Sequence, residues 1–376
     1  MSSFKTPAGI NRLRLICLII ALIPFFIYFP KTWPSLIFPL YFLGIVTLSI
    51  SLTRTIQFGW VTNAFLLGAT VIPVTVILMS SFAALFTGTT GNLLPSFIIP
   101  FLEETFKVLP LILLIVWMKK KGRLCFSGSD LLLLGSALGA GFTWTEDFLR
   151  VFLTRCVIPP DLFAMHESTL HWGWFYPFPS LTGTGIFTRD TPKYFIGHPA
   201  ATGFIGMAMG FSMMIGPLIK SKFSKRIHWA SWLFPLFIWL WMVADHAAFN
   251  YRHSHTIADK FTDFFLTINC HGTLSAWVFY LLVLVCLIFE TKIIFSAPVH
   301  LRILSPFFSG LRLLLSQFAV SKQKRLFLRC LSSLLLVRRT LAFHLYVMKN
   351  SRFSESGERY VRSLMKNFFR LKGLIK

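Results

Sequence analysis

Glu103 and Glu104 stand side by side, with Lys107 four and three positions on, in a stretch of chain that is otherwise apolar. Three further apolar stretches carry Glu146-Asp147, His198, and Asp245-His246 followed by Asn250. Carboxylates and imidazoles are the side chains that move protons near neutral pH, so this set suits the activation of water. Neighbouring apolar segments hold no serine paired with a lysine, which argues against a covalent acyl-enzyme. Glu104 or Glu103 would serve as general base, and a histidine would polarise a carbonyl and stabilise the oxyanion. Lys107 and Asn250 would hold charges and rings in place. Histidines and carboxylates are also ordinary ligands of zinc or manganese. No His-Glu-x-x-His stretch occurs, however, so a metal would have to be assembled from separate segments. The expectation is therefore no cofactor, with a divalent metal such as zinc as the alternative.

The solvent around these groups follows from composition. Of 376 residues, 55% are hydrophobic and 14% charged, against roughly 25% charged in soluble domains. Runs long enough to cross a bilayer, about 20 apolar residues each, recur over residues 13–29, 35–53, 60–86, 95–118, 130–153, 196–219, 229–250 and 267–290. The fold class expected is all-α, a polytopic membrane bundle of about eight transmembrane helices with a basic amphipathic C-terminal tail. The first run is longer than a signal-peptide core, and no small-residue cleavage site follows it, so it reads as an anchor.

An ionisable group at the bilayer centre costs about 2.5–3.5 kcal/mol on insertion scales, so each intramembrane charge needs a reason. Lys107 lies one helical turn beyond both glutamates and compensates one of them. Adjacent residues cannot share a helical face, so the second glutamate points elsewhere in the bundle. A buried ion-pair network that only fixes packing is the competing reading. Depth weighs against it: Glu103, Glu104 and Glu146 lie about two turns below the outer surface, and His198 and His246 lie nearer to it. One outward-opening cavity would hold them all. The steps Gly135-Ser-Ala-Leu-Gly139 and Gly206-Met-Ala-Met-Gly210 permit close helix approach and read as packing.

Cations set the orientation. Lys5, Arg12, Arg14, Arg54, Lys119 to Lys121, Arg123, Lys220, Lys222, Lys225 and Arg226 gather on one side, which places both termini in the cytoplasm and the chain in the cell (inner) membrane. The long segment from Thr154 to Phe195, with His171-Trp-Gly-Trp-Phe-Tyr-Pro-Phe-Pro179, rests on the lipid interface or lids a cavity. Most of the net charge of +23 follows the last span, where Glu355 and Glu358 are the only acids. Residues 1–290 thus read as the bundle and 291–376 as a basic cytoplasmic tail on an anionic lipid surface, with no nucleic acid expected. Six cysteines show no metal-ligand spacing. Cys156 and Cys270, both at the outer face, are candidates for a disulfide. His253, His255 and His271 read as solvated, and His300 and His344 receive no role.

Glu103-Glu104-x-x-Lys107, then Phe142-x-x-x-Glu146 within Gly-Ala-Gly-Phe-Thr-Trp-Thr-Glu, then His198 and His246, resembles the PrsW family of intramembrane proteases over residues 95–255. That family belongs to the superfamily of CAAX-processing and bacteriocin-immunity proteins. The resemblance implies a glutamate-type protease with Glu103, Glu104, His198 and His246 catalytic. It also implies a single-span membrane protein as substrate, an anti-sigma-like factor among them, cut near the outer face. Two features depart from the family. Its last motif is often His-x-x-x-Asp, whereas this chain reads His246-Ala-Ala-Phe-Asn250, and Asn supplies a hydrogen bond but no charge. The tail after Lys292 has no counterpart in the family pattern. A non-catalytic immunity or scaffold protein of the same fold is the main rival reading, and a proton-coupled transporter is the next.

Overall fold

A computed structural model describes residues 29–87, 97–121, 126–152, 196–222, 229–254, 259–269, 272–296, 322–350 and 355–375. The described elements are helices, with no strand among them: α1 (Phe29–Ser49), α2 (Phe58–Ala69), α3 (Val71–Thr87), α4 (Ile99–Lys120), α5 (Gly128–Phe152), α6 (His198–Lys222), α7 (Leu233–Ser254), α8 (Asp259–Ile268), α9 (Thr273–Ser296), α10 (Lys322–Asn350) and α11 (Glu355–Ile375). A short 3-10 turn, Trp229–Trp232, leads into α7.

Helix α5 is the axis of the bundle. Its sequence is apolar or small all round, and a helix of that kind must be enclosed by others. Every residue from 126 to 144 is buried. Around it stand α1, α2, α4, α6 and α9. Glycine makes the α5–α6 approach close. A Cβ on Gly135 or Gly139 would come within 2.4 Å of Thr202 O or 2.3 Å of His198 O, and a Cβ on Gly206 or Gly210 within 2.3 Å of Leu131 O or 2.6 Å of Ser127 O. The two small-residue steps therefore face each other, and van der Waals contact between backbones does the work that water-driven burial does in soluble proteins.

The outside is apolar. Leu78, Leu85, Leu240, Leu281 and Ile288 are exposed, a surface that suits lipid tails. Four helical stretches among the described residues are long and apolar enough to span a bilayer: Phe58–Leu85, His198–Gly216, Ala230–Asn250 and Leu274–Ser296. Helices α4 and α5, of 22 and 25 residues, have the length but carry the charged groups of the site. The protein is a helical membrane bundle, although a count of eight spans does not emerge from the described residues. The first expected span lies almost wholly outside them, as does the 154–195 segment.

Two boundaries differ from expectation. The span over 60–86 is broken at Thr70 (φ −121°, ψ −67°). Thr145 Oγ1 of α5 donates to the freed Ala69 carbonyl at 2.6 Å, so the break is satisfied internally. The run over 267–290 is two elements. Helix α8 ends at Ile268, the chain turns through Gly272 at φ 86°, and the spanning helix starts at Thr273. The turn coincides with Asn269, His271 and Gly272, polar and small residues that the expected span includes. The tail helix α10 lies against the bundle, where Phe343 and Val347 join the main core. Leu334, Val337 and Leu341 of the same helix pack on Val361, Leu364 and Phe368 of α11.

A methyl added at Gly141 would meet Phe65 O at 2.0 Å and Ala69 N at 2.7 Å, both backbone atoms, whereas nothing lies within 4 Å of one at Gly44. Gly141→Ala is expected to cost about 1–3 kcal/mol of stability through overpacking. Gly44→Ala should be neutral or stabilise by up to about 1 kcal/mol through helix propensity. Denaturation in detergent measures both.

Candidate active site

Glu103, Glu104 and Lys107 come from the first turns of α4, which opens on Pro100, a residue suited to a helix start. Phe142 and Glu146 come from the last third of α5, His198 from the first residue of α6, and His246 from the second half of α7. The glycine contact that sets His198 O against Gly139 is what brings the start of α6 beside the end of α5. Gly197, at φ 86°, makes the turn into α6.

One oxygen organises the cluster. Glu104 Oε1 accepts from Lys107 Nζ at 2.7 Å and from His246 Nδ1 at 3.1 Å, and it lies 3.3 Å from His198 Nδ1. An ammonium has donors only, so Lys107 Nζ also donates to His198 Nδ1, at 2.6 Å. That contact makes Nδ1 the acceptor of a neutral ring and places its proton on Nε2, where Glu146 Oε2 accepts at 2.9 Å. The rings of His198 and His246 meet edge to face, with centroids 4.8 Å apart. Phe142 closes one side: its ring lies edge to face on His198 at 5.0 Å, and Lys107 Nζ sits 4.2 Å from its centre.

Glu103 occupies the other edge of the same two rings. Its Oε2 is 3.9 Å from His198 Nε2, 3.9 Å from His246 Nε2 and 3.7 Å from Lys107 Nζ. These separations are too long for direct hydrogen bonds and suit one atom bridging between the groups. Glu103 Oε2 is buried without a hydrogen-bond partner. The adjacent glutamates thus do not face different parts of the bundle, as helix geometry alone suggests. They flank both imidazoles, Glu104 on the Nδ1 side, where it bonds His246 directly and His198 through Lys107, and Glu103 on the Nε2 side.

The residues fit a metal ion. Ligand atoms of Glu103, Glu104, His198 and His246 lie within 4.8 Å of one another, and all four residues are buried. Carboxylate oxygen and imidazole nitrogen are ligand types zinc takes at about 2.0–2.2 Å, and the four would draw slightly closer to share one ion. Glu103 Oε2 and the unprotonated His246 Nε2 point at each other as they stand. His198 would first have to give up the Nε2 proton that it directs at Glu146.

Glu103, Glu104, Lys107, Phe142, Glu146, His198 and His246 all join these contacts; Asn250 follows His246 by one turn on α7 and is partly exposed. Asp147's side chain, His253's side chain, His255, His271, Cys156 and Cys270 lie outside the described residues. Sequence reading missed the network that holds both histidines. Asp245, next to His246, accepts from Ile196 N–H, two residues before His198, and Asn269 Nδ2 donates to Asp245 Oδ1. Asn269 Oδ1 in turn accepts from Ser275 N and Oγ, each at 2.9 Å, and Trp241 Nε1 donates to Ser275 Oγ at 2.8 Å. Asp245 in an apolar span was the available signal. Its partners, Asn269 beside the Gly272 turn and the Ile196 amide, come from distant stretches of chain and were not legible.

Residues 57–170 match the family model described as PrsW family intramembrane metalloprotease. The matched segment includes Glu103, Glu104, Lys107, Phe142 and Glu146, while His198 and His246 lie beyond it. The motif resemblance to the PrsW family thus has independent support from the family model. No curated protein and no solved structure gives a significant match to the chain.

Lys107 is fully buried between Glu104 and His198. Lys107→Met should cost about 3–5 kcal/mol, the range for leaving a buried charge unpaired. Adding Glu104→Gln, which removes the stranded charge, should recover part of that loss. Thermal unfolding of the two variants in detergent compares them.

Proposed function

We propose that this cluster hydrolyses peptide bonds of single-span membrane proteins by activating water within the bilayer. The match to a family of intramembrane proteases supports the reaction class. The observation that carries the mechanism is the unequal use of the two glutamates. Glu104 Oε1 is committed to Lys107 and His246, and although Glu104 Oε2 and Glu103 Oε2 are both buried without a hydrogen-bond partner, Glu103 Oε2 is the one that faces both Nε2 atoms.

In this reading Glu103 takes a proton from the attacking water as its oxygen bonds to the substrate carbonyl carbon. The tetrahedral oxyanion is stabilised by N–H donors, of which His198 Nε2–H is the one the tautomer argument supplies. Glu103 then returns the proton to the leaving amine as the C–N bond breaks. Glu146 holds the His198 proton, Lys107 neutralises Glu104, and Phe142 screens the set from water. Asn250 completes the α7 contribution next to His246.

The donor set and the matched family's description favour a second version of the same reaction. A divalent cation held by Glu103, His198 and His246 would polarise the carbonyl and acidify a bound water. Glu103 and His246 would need no rearrangement for it, and Glu104 would keep its hold on the His246 ring from behind.

The substrate proposed is a membrane-anchored protein cut near the extracytoplasmic face, with an anti-sigma-like factor as one such class. Clustering of cations on the opposite side of the spans supports that orientation. An immunity or scaffold role of the same fold predicts no cleavage at all.

The test uses purified protein in proteoliposomes with a single-span reporter. Glu103→Gln should lower cleavage by about 10²- to 10⁴-fold, the span of general-base contributions, with unfolding temperature unchanged or raised. Full cleavage by Glu103→Gln and by Glu103→Ala would remove Glu103 from the chemistry. Chelator treatment separates the two versions: loss of cleavage restored by zinc supports the cation, and retained cleavage supports water activated by the residues alone.

A further inference from the structure

At the opposite end of α5 from the acid and histidine cluster, a second set of buried charges has no part in that chemistry. Asp130 in the first turn of α5 is sixteen residues from Glu146, about 24 Å along the helix. Its Oδ1 accepts from Thr55 N at 2.6 Å and Ile56 N at 3.1 Å, and its Oδ2 accepts from Thr55 Oγ1. These bonds fix the connection between α1 and α2. From the other side Arg339 of α10 donates through Nη1 to Ser51 O at 2.8 Å and Arg54 O at 3.2 Å. Arg338 Nη2 reaches Ile294 O of α9 at 3.5 Å.

Arg54 stands at the centre of this junction and is 8% exposed. Its guanidinium lies over the Phe58 ring, 4.1 Å from the centre. Nε and Nη1 are buried and donate to nothing. Asp130 lends Arg54 a favourable field, but both of its oxygens are engaged by the 54–56 loop. Three buried guanidinium groups, Arg54, Arg338 and Arg339, therefore stand near one another, and Asp130 offsets the charge of Arg54 and Arg339. Burial pulls the Arg339 guanidinium down to about 10, with Arg54 and Arg338 adding to the effect and Asp130 opposing it. Helix α2 adds to the positive field. It starts at Phe58 with no side-chain cap from Gln57, so its first amides present the positive end of the helix dipole.

Buried N–H donors without acceptors, surplus positive charge and an uncapped helix start share one remedy, an anion with several oxygens. We propose that Arg54, with Arg339 and the first turn of α2, binds a phosphate-type anion at this end of the bundle. Guanidinium N–H groups match phosphate oxygens in geometry and strength. The spanning stretch that follows begins at Phe58, which is half exposed, so Arg54 sits at the level of lipid headgroups. The headgroup of an anionic phospholipid is accordingly the occupant the position favours, and soluble phosphate shares its chemistry. Because Arg339 belongs to α10, occupancy would also fasten the basic tail to the bundle.

The full chain, purified in an uncharged detergent, is titrated with phosphatidylglycerol, with phosphatidylcholine, with inorganic phosphate, and with chloride at matched ionic strength, while unfolding temperature is followed. Phosphatidylglycerol should raise the unfolding temperature, and phosphatidylcholine and chloride should not. A matching rise with phosphate alone would assign the site to a soluble anion, which also supports it. Arg54→Gln should raise the half-saturating concentration by about tenfold or more, and Arg54→Lys should weaken binding less. Lys366→Gln and Arg370→Gln, at exposed cations of α11, should leave it unchanged. If neither phosphatidylglycerol nor phosphate shifts the wild type, or if Arg54→Gln responds like the wild type, the site does not exist. The wild-type titration decides the matter even if the Arg54 variants do not fold.

Discussion

A carboxylate oxygen with no access to water, Glu104 Oε1, takes a hydrogen bond from Lys107 and another from His246 and lies within 3.3 Å of His198. Within lipid such a charge is tolerated only when its partners are fixed around it. That requirement ties α4, α6 and α7 together at a common depth. It also decides which edges of the imidazoles are turned toward Glu103, because a ring held at Nδ1 must present Nε2 on its other side. The working face of the site follows from the satisfaction of a buried charge, and the two demands are met by adjacent residues of one helix turn.

Packing supplies the other half. In the bilayer no hydrophobic force draws helices together, so α5 and α6 depend on facing glycines that let their backbones touch. The contact of Gly139 with His198 O belongs at once to the packing and to the site. A larger residue there would displace the histidine that Glu146 and Lys107 hold. The far end of α5 is bound by a different device, in which Ser129 N and Oγ donate to Glu290 of α9 and Asp130 clamps the α1–α2 connection. One helix thus carries an anchored polar junction at its start and the reacting groups near its end.

How much of this was legible depends on whether partners lie close in sequence. The spacing of Glu103, Glu104 and Lys107 fixes their contacts within a single helix; it predicts one compensated glutamate, and the lysine lies 2.7 Å from Glu104 and also 3.7 Å from Glu103. Shared depth pointed to His198, His246 and Glu146 because charges in apolar spans stand out. That one glutamate holds the lysine was legible from spacing; which one does so, and that both face the same pair of rings, was not, since it depends on how two rings from other helices are turned. Glu290 and Asp130 lay at span edges and gave no sign of a network, and the turn signals Asn269, His271 and Gly272 were absorbed into the start of a span. Boundaries failed for the same reason at Thr70, where a threonine from another helix satisfies the broken turn. Hydrophobicity reports what faces lipid; it is silent on where a buried backbone bends.

The central claim is that Glu104 Oε1, directly at His246 and through Lys107 at His198, aligns two imidazoles so that both present Nε2 to Glu103. An experimental density map of the full chain in lipid nanodiscs, at a resolution that orients histidine rings, tests it directly. The account predicts His246 Nδ1 on Glu104, His198 Nδ1 on the Lys107 ammonium that the same Glu104 oxygen holds, and both Nε2 atoms facing the Glu103 carboxylate across a single bridging species. Rings turned away from each other, or Glu103 directed at lipid, would contradict it.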